Sequence, residues 1–265
     1  MKAASLASGS KGNSYLIQTD KTKILIDEGI GEKELLEKLY ALKVNPEDIS
    51  AIFITHEHDD HIKGLQTFLK KYNPKIYIHP DSATVANKKL KNILTNVKLI
   101  SDGEGVDVGD LFIENFKQSH DSKHCVGYSV SSNDAKVSIS TDLGTTDSNI
   151  LGHLCYSNLV YLEANHDINM LIENQHYPVF LKQRILSDKG HLSNKKSGEV
   201  ISALSKTNVG QIVLSHLSEE NNTPNLAYSY IKDYLKTQDI IEGRDIFIDV
   251  ALQHKIGTIF NITKK

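Results

Sequence analysis

The stretch Ile54–Leu65, ITHEHDDHIKGL, places three histidines and three carboxylates directly after the apolar run AIFI at 51–54. So many ionisable side chains at the end of a buried strand are costly unless something compensates them. Two interpretations are open. The stretch is either a solvated, histidine-rich loop or part of a metal site. Further ligands elsewhere in the chain decide between the two.

The spacing within this stretch favours two cations. His56 and His58 leave the predicted strand in extended backbone, so their side chains point the same way and can bind one ion. Asp60 and His61 come at the start of the next helix and can bind a second ion. Imidazole and carboxylate together suit Zn²⁺, and also Mn²⁺ or Fe. The other two acidic residues are expected to support ligands or face solvent: Glu57 and Asp59.

A metal ion needs more than two protein ligands, so further histidines or aspartates should close other strands. Three predicted strands end in such residues, and one carboxylate with two oxygens can bridge both ions. The predicted set is His56, His58 and His120 for one ion, Asp60, His61 and His216 for the other, and Asp142 between them. Two ions roughly 3.5–4 Å apart promote displacement at phosphorus.

The bulk composition is that of an ordinary globular protein. The 265 residues are 39% hydrophobic and 24% charged, with a formal charge of −3, and we expect one domain over residues 1–265. The small net charge gives no global field for polyanions, so nucleic acid would need a local surface. No apolar signal segment or membrane span is visible, which predicts a cytoplasmic protein with no membrane contact. The two cysteines, Cys125 and Cys155, are expected to be reduced thiols.

Along the chain, short apolar strands alternate with helical patterns. We expect a hairpin over 14–29, one helix over 61–72, a helix from Thr223-Pro224 to about 238, and a closing hairpin formed by 245–250 and 255–262. Two β-rich halves, each followed by helices, predict an α/β protein with two sheets packed face to face and helices outside.

The signature THEHDDH (55–61) resembles the HxHxDH motif of the metallo-β-lactamase fold. Four further stretches are similar to the bacterial WalJ/YycJ-like branch of that family: ASGSKGNSYLI (7–17), LEANHD (162–167), LKQRILSDKGHLSN (181–194) and LSHLSEENNTPNLA (214–227). This resemblance implies a four-layer αββα sandwich with a dinuclear site at the shared edge of the sheets. It also implies a metal-dependent nuclease, with 5′→3′ exonuclease activity on DNA as the leading assignment.

The resemblance also suggests how protons are handled. In related phosphodiesterases a histidine shortly before the last ligand protonates the leaving oxygen, and His191 holds that position. An imidazole suits this role because it titrates near working pH. Asp60, acting through water, is the other predicted catalytic residue. The alternative is that His191 only precedes a helix capped by Ser193 and Asn194.

Substrate contacts are predicted at two further places. The turn SGSKGN (8–13) offers glycine amides and polar side chains as a phosphate cradle, although it also reads as an ordinary tight turn. His166 follows an apolar strand and either contacts the substrate phosphate or supports a ligand. The predicted substrate-binding residues are Ser8, Ser10, Asn13, Asn165, His166 and Ser193. The basic residues expected to hold a nucleic-acid backbone are Lys63, Lys182, Arg184 and Lys189.

Two classes of function therefore remain in competition. The first is a phosphodiesterase acting on nucleic acid, with exonuclease activity as what the resemblance implies. The alternative is a small-molecule hydrolase acting on a cyclic phosphodiester, lactone or thioester. A non-catalytic metal-binding protein is disfavoured because all seven ligands are present. The other histidines are expected to be surface or packing residues: His79, His124, His153, His176 and His254.

Overall fold

The computed structural model describes residues 1–133 and 135–262. Within them, the strands form two seven-stranded sheets. The first sheet contains β1 (Lys2–Ala7), β2 (Ser14–Gln18), β3 (Lys23–Ile26), β4 (Ile49–Phe53), β5 (Lys75–Ile78), β6 (Val97–Leu99) and β14 (Phe260–Asn261), in the order β14-β1-β2-β3-β4-β5-β6. The second contains β7 (Gly105–Val108), β8 (Leu111–Gln118), β9 (Cys125–Ser132), β10 (Ala135–Ser140), β11 (Leu159–Glu163), β12 (Gln211–Ser215) and β13 (Phe247–Val250), in the order β13-β12-β11-β10-β9-β8-β7.

Helices cover the outer face of each sheet, which gives the predicted four-layer αββα sandwich. The helices are α1 (Glu32–Ala41), α2 (Asp59–Ile62), α3 (Leu65–Phe68), α4 (Pro80–Lys89), α5 (Ser148–Leu154), α6 (Ile168–Glu173), α7 (Val179–Leu186), α8 (Asn194–Leu204) and α9 (Pro224–Thr237). Residues of α1, α3 and α4 pack on the first sheet, and residues of α5, α8 and α9 pack on the second. Among the helices of the described ranges, none has the length and apolarity needed to cross a membrane.

The central strands are apolar on both faces because each face is covered. In β11, Leu159 and Tyr161 point into the core between the sheets, whereas Val160 and Leu162 pack under helices. This alternation follows from the period of two along a strand. It explains why such strands read as continuous apolar runs rather than alternating ones.

The direction of the strands positions the polar residues that follow them. Strands β3, β4, β5 and β6 are parallel neighbours, as are β10, β11 and β12. Since the carboxyl ends of parallel strands meet at one edge of a sheet, the residues after these strands gather there. That edge holds every residue of the site described below.

Two predicted elements differ from the structure. The helix expected over 61–72 is two short helices, α2 and α3, separated at Gly64. The chain passes so close here that a Cβ at Gly64 would overlap the Glu28 carboxylate and the Ile30 carbonyl oxygen. Apolar periodicity alone does not reveal such an approach.

The closing hairpin is also wrong. Strand β13 adds to β12 in the second sheet, in parallel, whereas β14 pairs antiparallel with β1 in the first sheet. The two segments therefore close different sheets instead of pairing with each other. By contrast, α9 begins as predicted, with the Thr223 side chain accepting from the Leu226 amide and proline in the first turn.

Candidate metal centre

The first predicted ligand group converges at the end of β4. The loop after this strand carries His56 and His58, and the segment after β8 carries His120. Their ring centroids lie 4.5 Å (His56–His58), 5.0 Å (His56–His120) and 5.1 Å (His58–His120) apart. One nitrogen from each ring lies within 4.8 Å of the others, a spacing that a single cation can span.

The second group lies beside the first. Its donors, from Asp60, His61, Asp142 and His216, also lie within 4.8 Å of one another. Asp142 stands between the groups. Its Oδ2 is 3.1 Å from His61 Nε2 and 3.3 Å from His216 Nδ1, and its Oδ1 is 3.7 Å from His120 Nε2. Each oxygen thus faces one group, as a bridging carboxylate would.

Two buried nitrogens indicate that cations fit this pocket. His56 Nε2 and His120 Nε2 are buried and make no hydrogen bond to any atom of residues 1–133 or 135–262. A buried polar atom without a partner costs about 1–3 kcal/mol. The other nitrogen of each ring is engaged: His56 Nδ1 lies 3.0 Å from Thr55 Oγ1, and His120 Nδ1 lies 3.2 Å from the Gly190 carbonyl oxygen. The free nitrogens therefore match the donors that a divalent ion requires.

A buried aspartate that the sequence analysis missed holds His61 in place. Asp27 follows β3, is fully buried, and its Oδ2 lies 2.7 Å from His61 Nδ1. The Thr55 amide and hydroxyl donate to the same carboxylate at 2.8 and 2.9 Å. This contact places a proton on Nδ1 and directs Nε2 toward Asp60 and Asp142, as a ligand of a shared ion would point. Its signal was visible in the sequence, because Asp27 ends an apolar strand just as Asp142 does.

Three residues at this edge adopt left-handed backbone. Asp27, Asp142 and His216 have φ values of 61°, 61° and 55°. Non-glycine residues rarely adopt this region, and those that do cluster at functional sites. In each case the strand ends one or two residues earlier, and the side chain turns toward the centre. The strain is therefore part of what aims these donors.

A buried glutamate orients His191. Glu163 ends β11; its Oε1 lies 2.8 Å from His191 Nδ1, and its Oε2 accepts from the Leu143 and Leu192 amides. Burial by itself lowers the pKa of His191, but the charge and hydrogen bond of Glu163 outweigh it and raise the pKa to about 9. The His191 ring lies 5.2 Å from that of His120 and 5.4 Å from that of His216. The sequence analysis did not assign Glu163.

In the predicted phosphate cradle (8–13), the Ser8 and Asn13 side chains already contact residues of the metal centre. The Ser8 hydroxyl accepts from the His216 amide and lies 2.8 Å from the Tyr15 hydroxyl. Asn13 exchanges two hydrogen bonds with Gly9, and its amide nitrogen lies 3.2 Å from His61 Nε2. Of the three residues predicted to bind phosphate in this turn, Ser10 alone is exposed.

The other predicted substrate-binding residues, Asn165, His166 and Ser193, differ in whether their side chains already have hydrogen-bond partners. Asn165 donates to the His216 carbonyl oxygen, and Ser193 caps α8 by accepting from the Lys196 amide. His166 is 1% exposed, and neither ring nitrogen has a hydrogen-bond partner in the described part of the chain. Burial lowers the pKa of His166 to about 4, so its ring is neutral near pH 7. Of these three, His166 therefore has free polar atoms to offer.

The two acidic residues predicted to point outward have different surroundings. Glu57 is 4% exposed and its Oε1 accepts from the Lys123 amide at 2.7 Å. Asp59 is exposed and pairs with Lys89 at 2.9 Å. The cysteines are free thiols: Cys125 is buried beside His56, and Cys155 is half-buried.

The fold and the strand-end cluster are those of a metal-dependent hydrolase, and comparison with known sequences identifies the family. The profile of the Metallo-beta-lactamase superfamily matches residues 7–193, so the chain belongs to the metallo-β-lactamase superfamily.

Relatives along most of the chain confirm the narrower branch. Exodeoxyribonuclease WalJ of Streptococcus pneumoniae serotype 2 is 36% identical over 247 residues, which are 92% of this chain and 91% of the relative. Exodeoxyribonuclease YycJ of Bacillus anthracis is 36% identical over 234 residues, 87% of this chain and 88% of the relative. The metallo-β-lactamase fold protein YhfI of Bacillus subtilis shares the fold, with a TM-score of 0.74, 17% identity and 98% of each chain covered. The matches are consistent with the predicted metal-dependent nuclease.

Proposed function

We propose that this protein is a two-metal exodeoxyribonuclease that degrades DNA from the 5′ end. The observation that carries the proposal is the convergence of seven donor residues into two adjoining groups that share Asp142. Relatives over about nine-tenths of the chain are named exodeoxyribonucleases, which supports DNA as the substrate. A cytoplasmic location and one domain over residues 1–265 stay predictions of the sequence.

The two donor groups suit two divalent ions. The first ion would be held by His56, His58 and His120, the second by Asp60, His61 and His216, with Asp142 shared. Imidazole with carboxylate fits Zn²⁺, Mn²⁺ or Fe. Bound there, such ions would polarise a phosphodiester and supply a nucleophile near neutral pH.

We assign the proton donor to His191. Its Nδ1 is fixed by Glu163, so the opposite nitrogen is the one available to a leaving oxygen. With a pKa of about 9, the ring carries its proton at neutral pH. Glu163 is then a positioning residue: it selects the tautomer and raises the pKa of its partner. Asp60, whose Oδ2 lies 3.3 Å from His61 Nε2, is placed to accept a proton through water.

A basic cavity beside the centre is the best place for the DNA backbone. A cavity of about 490 Å³ adjoins His120 and is lined by Lys117, Lys123 and Lys189. Of the basic residues expected from sequence, Lys189 lies here. The others have protein partners: Lys63 donates to the Lys11 carbonyl oxygen, Lys182 to that of Ile172, and Arg184 pairs with Asp121. Within residues 1–133 and 135–262, the side chains of Lys117, Lys123 and Lys189 make no hydrogen bond or ion pair, so they are available to phosphates.

The test is digestion of duplex and single-stranded DNA labelled at either the 5′ or the 3′ end, with RNA of the same sequence in parallel. Protein loaded with Zn²⁺ or Mn²⁺ should release the 5′ label as mononucleotide first and leave the 3′ label on shortening chains. Chelator-treated protein serves as the control and should be inactive.

Three outcomes would contradict the proposal. Early release of the 3′ label would reverse the polarity, and preference for RNA would change the substrate. Inactivity on all polymers together with turnover of a cyclic phosphodiester or a lactone would favour the small-molecule hydrolase instead. Substituting Gln for His191 should lower the turnover number by about 10²–10⁴-fold, the usual contribution of a positioned acid.

A further inference from the structure

A second cluster of metal-binding side chains lies on the same edge of the sandwich, outside the centre described above. His79 follows β5, Asp102 comes shortly after β6, and His124 immediately precedes β9. One donor atom from each lies within 4.8 Å of the others. Asp81, in the first turn of α4, is the fourth member. We call these four residues the outer histidine cluster.

The two imidazoles of this cluster stack. Their ring centroids are 3.5 Å apart and their planes differ by 12°. The edge that carries both Nε2 atoms faces Asp102, whose Oδ1 lies 2.6 Å from His124 Nε2 and 3.9 Å from His79 Nε2. The opposite edge faces Asp81, whose Oδ2 lies 3.8 Å from His79 Nδ1 and 4.0 Å from His124 Nδ1. Two parallel rings therefore share one carboxylate at each edge.

We propose that the outer histidine cluster is a third metal site, with His79 Nε2, His124 Nε2 and Asp102 as its protein ligands and Zn²⁺ as the best-fitting class of ion. Tetrahedral Zn²⁺ with ligand distances of about 2.0–2.1 Å separates its donors by about 3.3 Å. The distances from Asp102 Oδ1 to the two nitrogens lie on either side of that value. Because the Asp102 side chain is 40% exposed, it can shift to equalise them. The two rings, whose planes differ by 12°, would also tilt so that both in-plane Nε2 lone pairs reach the ion.

The opposite carboxylate fits the role of an outer support. A ring that binds a metal through Nε2 must carry its proton on Nδ1, and that proton usually goes to a carboxylate or carbonyl. Asp81 Oδ2 lies 3.8 Å from His79 Nδ1 and 4.0 Å from His124 Nδ1, and His79 Nδ1 accepts from the Asp81 amide at 3.2 Å. Ion binding would therefore move the His79 proton from Nε2 to Nδ1 and draw the Asp81 carboxylate closer to both rings. In the central site, Asp27 already makes such a contact, at 2.7 Å from His61 Nδ1. Water would complete the coordination, since three protein ligands leave a position open.

Such an ion would fasten three segments of this edge together. The ligands come from the turn before α4, the turn after β6 and the end of the 119–124 segment. That last segment begins beside His120, a ligand of the central site. The Ser82 hydroxyl already donates to the His124 carbonyl oxygen at 2.6 Å, so the backbone of this ligand is anchored to α4. We therefore assign the ion the role of holding the loop that positions His120.

The experiment is equilibrium dialysis against Zn²⁺, followed by elemental analysis of the full-length protein. The unaltered chain should bind one equivalent more than His79→Ala and one more than Asp102→Asn. His254→Ala is the matched control, because His254 also pairs with a carboxylate, Glu219 at 2.9 Å; it should keep the full number. Asp102→Asn changes an exposed side chain, so loss of folding does not obscure the result.

A second measurement separates this proposal from the proposed function. In Asp142→Ala, which disrupts the central site, added Zn²⁺ should still raise the melting temperature. The rise should be smaller in Asp142→Ala/Asp102→Asn, because both variants keep His56, His58 and His120 and differ only in the outer cluster. Equal zinc content in the unaltered chain, His79→Ala and Asp102→Asn would overturn the third site, as would equal zinc-induced rises in Asp142→Ala and Asp142→Ala/Asp102→Asn. Neither result depends on whether DNA is cleaved.

Discussion

The central metal centre and the outer histidine cluster use the same donors in different surroundings. In the centre, His56, His61 and Asp142 are at most 2% exposed. In the outer cluster, the Asp102 and Asp81 side chains are 40% and 66% exposed. These three central donors are therefore desolvated whether or not an ion is present, and the free-energy cost of burying them is already included in folding.

This contrast shows how burial converts a cluster of donors into a preorganised site. The central donors are held by further buried groups, such as Asp27, which hydrogen-bonds to Nδ1 of His61. In the outer cluster the imidazoles are also largely buried, but the carboxylate at each edge is exposed and free to hydrogen-bond with water. We expect the central ions to bind more tightly and to supply chemistry, and the outer ion to exchange readily.

The largest effect should come from removing the carboxylate that joins the two central groups. Asp142→Ala removes a ligand from each of the two proposed ions, which stabilise the charge that develops in the transition state. Because several kcal/mol of that stabilisation would be lost, kcat/KM on DNA should fall at least about 10³-fold. Single-turnover assays at saturating Zn²⁺ or Mn²⁺ measure it, with His254→Ala as the control. Activity within tenfold of the unaltered protein would mean that the central groups are not the catalytic site.

The next largest effect is expected from changing the carboxylates that face the Nδ1 atoms of the histidines, Asp27 in the centre and Asp81 in the outer cluster. Asp27→Asn should weaken the tightest metal-binding step by about 10–100-fold, because the carboxylate no longer fixes the His61 tautomer. Asp81→Asn should weaken only the readily exchanging site, and by a smaller factor, because solvent screens an exposed carboxylate. Competition with a chromophoric chelator measures both. A larger effect for Asp81→Asn than for Asp27→Asn would reverse the comparison.

An intermediate effect concerns pH and the buried His166. Burial lowers the pKa of His166 from 6.5 to about 4, so the unfolded chain takes up a proton that the folded protein refuses. The stabilisation is complete above about pH 6.5 and is lost as the pH falls toward 4. Between pH 7 and pH 5, the free energy of unfolding should therefore fall by about 2 kcal/mol more in the unaltered protein than in His166→Gln.

Urea titrations at the two pH values, with metal present throughout, measure this difference. His176→Gln is a suitable control because His176 is exposed. Equal losses of stability in the unaltered protein and in His166→Gln would show that the ring is not held neutral in the folded state.

The smallest effect separates neighbours within one motif. Asp59→Asn removes an exposed partner of Lys89, and such surface pairs contribute about 0–1 kcal/mol. Its stability and its activity on DNA should stay close to those of the unaltered protein, whereas Asp60→Asn should lose metal. Side-by-side melting curves and digestion assays test this. Loss of metal in both variants would mean that Asp59 and Asp60 both contribute to metal binding.

The sequence predicted which residues lie together wherever an apolar strand is followed directly by a histidine or an aspartate. Apolar strands that end in histidine or aspartate predicted that His120, Asp142 and His216 lie together with the 56–61 motif, and the structure brings them to one edge. The same rule, applied to β3 and β11, would have found Asp27 and Glu163. The predictions of one helix over 61–72 and of a closing hairpin were wrong. Close approach of the chain at Gly64 and the sheet that a strand joins both depend on residues far away in the sequence.

The sequence by itself determined the sandwich class, the family and the residue types able to bind metal, because each depends on local period, spacing or motif. Only the tertiary structure decided which oxygen of Asp142 faces which histidines, that Glu163 orients His191, and that His79 and His124 stack between two carboxylates. These contacts join residues from separate strands and loops. Their distances are set by how the two sheets pack, and no local pattern in the chain records them.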